Sequence, residues 1–128
     1  MANIVVMDDD PGLRGAMRKI LERGGHTVRE AEDGVVGMRL VESEAPDLVV
    51  TDLLMPKKEG IETIMDLRAR FPKVRILAIS GAGSPDGEGG PLVDARLFGA
   101  HDILPKPFSV QTLLSVVDQV LEDPDPQG

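Results

Sequence analysis

Along these 128 residues, hydrophobicity switches five times from a short apolar run to a helix-spaced pattern. No other feature constrains the fold as much, because a strand apolar on both faces must be covered on both faces. The runs are Ile4 to Met7, a weaker Thr27 to Glu30, Leu48 to Asp52, Val74 to Ile79 and Asp102 to Leu104. Helical spacing is carried by Leu13, Ala16, Met17, Ile20 and Leu21, then by Val35, Met38 and Val41, then by Ile61, Ile64, Met65 and Leu67. A short fourth helix is predicted from Pro91 to about Phe98, and a last one after Ser109 with Leu113, Leu114, Val117, Val120 and Leu121 inside.

Breakers fall where this alternation needs them. Pro11 sits where a first helical turn tolerates proline, and Gly24-Gly25 ends that helix. Asp33-Gly34 forms a turn or cap before the second helix, and Pro46 and Pro72 separate helices from the strands that follow. Ser80 to Gly90 (SGAGSPDGEGG) reads as a flexible loop, and Ser109 as the N-cap of the last helix. Five strands alternating with five helices require a parallel sheet, and right-handed crossovers leave few ways to build one. The expected fold is α/β, a flavodoxin-like doubly wound (βα)5 with strand order 2-1-3-4-5. No internal repeat or second-domain boundary interrupts it. Residues 1–122 are read as one domain, and 123–128 as a disordered tail or the start of a linker.

Charge and composition exclude several function classes. The 14 basic residues against 22 acidic ones give a net charge of −8, which disfavours direct nucleic-acid binding through phosphate contacts. With three Phe, no Trp and no Tyr, base-stacking platforms are lacking as well. The absence of cysteine rules out disulfides and thiolate metal sites and suits a cytoplasmic location. No apolar stretch reaches membrane-span length, and acids follow the first apolar run too soon for a signal peptide. Membrane attachment is not expected.

In a doubly wound sheet, ligands bind beyond the carboxyl ends of the strands where strand order reverses. Asp8, Asp9 and Asp10 follow the first strand, Asp52 ends the third, Ser80 follows the fourth and Lys106 the fifth. Crowded carboxylates invite a hard cation with oxygen ligands, and Mg²⁺ suits a site with few protein ligands. An aspartate can itself be the nucleophile in phosphoryl transfer, while a lysine and a hydroxyl serve the transferred oxygens. Asp10 also stands where it can cap the first helix.

The segments IVVMDDDP, VVTDLLMPKKEGIE, ILAIS and GAHDILPKPF together resemble the receiver domain of two-component response regulators, from about Asn3 to Glu122. The resemblance implies a phosphoacceptor signalling domain rather than an enzyme acting on other molecules. It implies phosphorylation at Asp52, with Mg²⁺ held by Asp9, Asp52 and the Leu54 backbone carbonyl, and by Asp8 through water. Ser80 and Lys106 match the residues that engage the phosphoryl group, and Lys106-Pro107 matches a cis peptide. The implied donor is a histidine kinase or histidine phosphotransfer protein. The implied output is contact with a downstream protein through the fourth predicted helix, the fifth strand and the last helix. Either a stand-alone receiver or one excised from a longer chain would carry this sequence.

Three departures from the family pattern stand out. Ile103 replaces an aromatic that often changes orientation on activation, so it is expected to act as a contact or packing residue in the switch. The Ser80–Gly90 loop is longer than usual. Leu54 and Ala82 are apolar where many relatives carry polar groups that handle hydrolytic water. Two alternatives differ in class: an Mg²⁺-dependent phosphohydrolase of the haloacid dehalogenase type, or a phosphate-independent adaptor of the same fold. The former needs an acid two residues after the nucleophile, where this chain has Leu54. His26 and His101 are expected at the surface, and the methionines mainly as core filling. The glycine-rich loop lacks the lysine and helix opening of a P-loop.

Leu54 and Ala82 cannot orient water through their side chains, so the phosphorylated form should be long-lived. We expect Leu54→Asn with Ala82→Glu to speed phosphate loss at least about tenfold, or ~1.4 kcal/mol of barrier. Equal decay rates in the two proteins after removal of the donor would assign the lifetime to another feature.

Overall fold

The computed structural model describes residues 1–53, 60–80 and 99–122. Chain order is β1 (Asn3–Met7), α1 (Pro11–Arg23), β2 (Thr27–Ala31), α2 (Gly34–Ser43), β3 (Leu48–Asp52), α3 (Gly60–Arg70), β4 (Arg75–Ser80), β5 (Asp102–Pro105) and α4 (Val110–Glu122). The helix predicted over 91–98, nearly all of the glycine-rich loop and the 123–128 tail lie outside these residues. The five strands form one sheet ordered β2-β1-β3-β4-β5, and each neighbouring pair is parallel. This is the flavodoxin-like order expected from the alternation.

Side-chain alternation divides the core into two halves. Val5, Met7, Val49, Ile76 and Ala78 pack with Met38 and Val41 of α2 and with Ile64 and Leu67 of α3. On the other face, Ile4, Val6, Leu48, Val50, Leu77 and Ile79 pack with Met17 and Leu21 of α1 and with Leu113, Val117 and Val120 of α4. Every residue of β3 is buried, as expected for the central strand of a sheet covered on both sides.

Local signals act as anticipated. Asp10 is the N-cap of α1 and accepts from the backbone N–H groups of Gly12 (2.9 Å) and Leu13 (3.3 Å), with Pro11 in the first turn. Gly25 then turns the chain out of α1 at φ +95°. Asp33 caps α2 through Val36 N–H, and the Ser109 hydroxyl accepts from Thr112 N–H at 3.0 Å.

Some expectations need correction. Neither His26 nor His101 is a plain surface residue, since each is partly buried. Nδ1 of His26 accepts from Ala2 N–H and Nδ1 of His101 from Ile76 N–H, both at 3.1 Å, so the rings complete backbone bonding at the amino edge of the sheet. Met7, Met17 and Met38 fill the core, but Met65 is 48% exposed despite its apolar spacing in α3.

Gly60 brings α3 close against the exit of β3. A Cβ there would overlap the Asp52 carbonyl oxygen and lie 2.5 Å from the Leu53 Cα, so backbone would have to move. Gly15, inside α1, has open space where a Cβ would go. We expect Gly60→Ala to lower the unfolding free energy by about 2 kcal/mol, in the range of overpacking. Gly15→Ala should raise it by about 0.5–1 kcal/mol. Urea denaturation of both variants checks the opposite signs.

Candidate functional site

The carboxyl edge of the sheet collects charge because parallel strands all end there. Register sets the details. Met7 pairs with Thr51 and Asp52 with Ile79, so Asp8 and Asp52 leave neighbouring strands at nearly the same height. Asp8, Asp9 and Asp52 each present a carboxylate oxygen, all within 4.8 Å of one another. Asp8 and Asp52 are buried, at 0% and 4% exposure, while Asp9 is exposed.

Lys106 reaches this cluster from the far strand. Its N–H bonds the Ser80 carbonyl at 2.9 Å, which extends the β4–β5 ladder past Pro105, and the Lys106-Pro107 peptide is cis as expected. The ammonium bonds Asp52 Oδ2 at 2.9 Å and lies 3.8 Å from Asp8 Oδ2. Desolvation pulls the lysine pKa down, but the hydrogen bond and charge of Asp52, with Asp8 and Asp10, outweigh it and the net shift is upward. Lys106 is therefore a firm cation beside Asp52.

Asp8 experiences the opposite balance. Its Oδ1 accepts from Asp10 N–H at 2.9 Å, whereas its buried Oδ2 has no hydrogen-bond donor among the described residues. Burial raises its pKa to about 6; the Asp10 amide and Lys106 pull the value down, while Asp52 and Asp9 push it up. A buried carboxylate oxygen without a donor, among oxygen-only ligands of like charge, fits a hard divalent cation such as Mg²⁺.

Other expected residues fall as follows. Ser80 ends β4, one residue past the register partner of Asp52, and is 2% exposed. Ile103 pairs with Ala78 and is partly buried against the core half that includes α2 and α3. Leu54 and Ala82 lie outside the described residues. The structure also brings in Arg14 and Glu30, which sequence reasoning missed. Arg14 Nη1 donates to the Asp8 carbonyl at 2.8 Å and Arg14 Nε to Glu30 Oε1 at 2.9 Å. Only the placement of Arg14 one turn after the Asp10 cap hinted at this.

A family model for the response regulator receiver domain matches residues 4–118. The chain is similar to Response regulator MprA of Mycobacterium ulcerans, 38% identical over 112 residues, covering 88% of this chain and 47% of that protein. MprA of Mycobacterium avium is 35% identical over 124 residues, covering 97% of this chain and 53% of that one. The chain thus spans about half the length of the curated relatives it matches. Among solved structures, the receiver domain of NtrX from Brucella abortus superposes with a TM-score of 0.87 at 28% identity, covering 94% of this chain and 99% of that one. A response regulator receiver domain protein from Clostridium thermocellum gives 0.84 at 26% identity, covering 94% of each chain.

The Asp8 carboxyl has a consequence for stability. Its folded-state pKa of about 6 lies above the unfolded 3.8, so the fold favours the protonated form. Stability therefore falls as pH rises through this window, by about 3 kcal/mol when complete. Asp8→Asn keeps the shape and removes the charge. In metal-free buffer it should stabilise the protein by about 1–3 kcal/mol at pH 7.5 and by much less at pH 4.5, as read by urea denaturation at both values.

Proposed function

Because this chain belongs to the response regulator receiver domain family, we propose that Asp52 accepts a phosphoryl group from a phosphohistidine of a histidine kinase or phosphotransfer protein. The observation that carries this reading is the convergence of Asp8, Asp9 and Asp52 with the Lys106 ammonium at one sheet edge. Asp9 and Asp52 would hold Mg²⁺ directly and Asp8 through water, with the Leu54 carbonyl expected as a further ligand. When bound, the ion supplies charge neutralisation for the phosphoryl oxygens.

The remaining chemistry belongs to the chain itself. A carboxylate oxygen of Asp52 attacks phosphorus in line, the O–P bond forms as the P–N bond of the donor breaks, and that electron pair leaves with the imidazole. Lys106 is already bonded to Asp52 Oδ2 and moves its ammonium onto the transferred oxygens as the negative charge spreads there. Ser80, at the end of β4, donates its hydroxyl to the same group. That displacement biases a two-state equilibrium read by a downstream protein on the face formed by β5 and α4 with the segment preceding β5, where Ile103 serves as contact or packing sensor.

The product is a phosphoprotein that catalyses only its own phosphorylation and dephosphorylation. None of the described helices is long and apolar enough to cross a membrane, and the net charge of −8 argues against direct nucleic-acid contact. We propose a cytoplasmic location, which the lack of cysteine suits.

Incubation with acetyl phosphate and Mg²⁺, followed by intact-mass measurement, tests the reading. We expect a gain of one phosphoryl group that Asp52→Asn abolishes. Asp9→Ala should remove the Mg²⁺ dependence and most of the rate. Steady release of free phosphate would point to a phosphohydrolase, no reaction to an adaptor, and normal uptake by Asp52→Asn to a different acceptor.

A further inference from the structure

We infer that Arg14 is a positioning residue for the acid cluster: braced by Glu30 of β2, its guanidinium fixes the Asp8–Asp9 peptide and so the placement of Asp9. This rests on the Mg²⁺-dependent reading above. Asp9 is exposed, and its carboxylate makes no hydrogen bond among the described residues, so its position follows its backbone. Asp8 N–H bonds the Ala31 carbonyl at 3.0 Å and Asp8 Oδ1 accepts from Asp10 N–H, which leaves the Asp8 carbonyl as the free end of the turn. Arg14 takes that carbonyl at 2.8 Å.

The brace is itself anchored. Arg14 N–H bonds the Asp10 carbonyl at 2.9 Å, which seats the residue on the first turn of α1 above the acid loop. Glu30 receives Arg14 Nε on one oxygen at 2.9 Å and Arg18 Nη1 on the other at 3.0 Å. Arg18 is held in turn by Glu22 at 3.0 Å. The Arg14 and Glu30 side chains are only 19% and 24% exposed, so water competes weakly for this pair. Two N–H groups of one planar fork point at acceptors on two different elements, which a lysine ammonium cannot reproduce at one fixed geometry.

Charge and positioning predict opposite signs. Removing a cation beside three carboxylates should, by charge alone, tighten Mg²⁺ binding. Loss of positioning should weaken it. The test is a Mg²⁺ titration followed by the backbone NMR shifts of Asp8, Asp9 and Asp10 in the wild type, Arg14→Gln and Arg14→Lys. Acetyl phosphate labelling across the same Mg²⁺ range runs in parallel. Outer partners of metal ligands commonly hold 10–100-fold of affinity, and this contact acts through the backbone, so we expect half-saturation to rise about fivefold in both variants. The labelling rate at saturating Mg²⁺ should stay within about twofold, since Asp52 and Lys106 are untouched. Should Arg14→Gln fail to fold, Arg14→Lys carries the test alone. Unchanged or tighter Mg²⁺ binding in Arg14→Gln, or wild-type affinity in Arg14→Lys, overturns the inference while leaving the phosphoacceptor reading intact. A wild type whose Asp8–Asp10 amides ignore Mg²⁺ overturns both.

Discussion

The 2.9 Å bond from Lys106 to Asp52 connects two strands that are not neighbours, β4 lying between β3 and β5. It is also a direct hydrogen-bonded contact between opposite charges within the acid cluster. Without that ammonium, two buried carboxylates and one exposed carboxylate would face one another within 4.8 Å. Burial first, and then repulsion from Asp52 and Asp9, favours protonation of Asp8, whose pKa stays raised to about 6 even with Lys106 nearby. The edge is thus held in a state that stabilises the fold poorly and leaves it ready for added positive charge.

That tension is tolerated because the interior beneath it is closely packed. β1 and β3 contribute uninterrupted apolar side chains to both halves of the core, from Ile4 and Leu48 upward to Met7 and Val50. Gly60 allows α3 to begin directly against the backbone at Asp52 and Leu53. The acids therefore stand on a closely packed floor.

Much of this was legible in the sequence, and for identifiable reasons. β3 is legible to the residue because Pro46 and Asp52 bracket the apolar run Leu48 to Val50. Strand ends gave Asp8, Asp9, Asp52, Ser80 and Lys106 as a group, since a parallel sheet leaves them no other edge to share. Residues whose role depends on tertiary neighbours were harder to see. The histidines resemble surface residues until β2 adds beside β1 and β5 beside β4, when each ring becomes an acceptor for an amide at the start of the neighbouring strand. Arg14 and Glu30 are 16 positions apart and meet only because β2 adds beside β1. Met65 keeps the apolar period of α3 yet points outward, since a periodic pattern fixes a face without fixing what covers it.

The outermost strands carry a separate consequence. On β2, Arg29 folds toward the end of α2, bonding the carbonyls of Leu40 and Glu44, while Glu30 turns to the opposite face and the arginines of α1. On β5, the strand is four residues long and ends at Pro105, which has no N–H to offer. One margin is flanked by paired charges and the other is cut short by proline, so neither offers a long, uniform row of donors and acceptors to a foreign strand. A sheet finished in this way is a poor template for edge-to-edge strand addition.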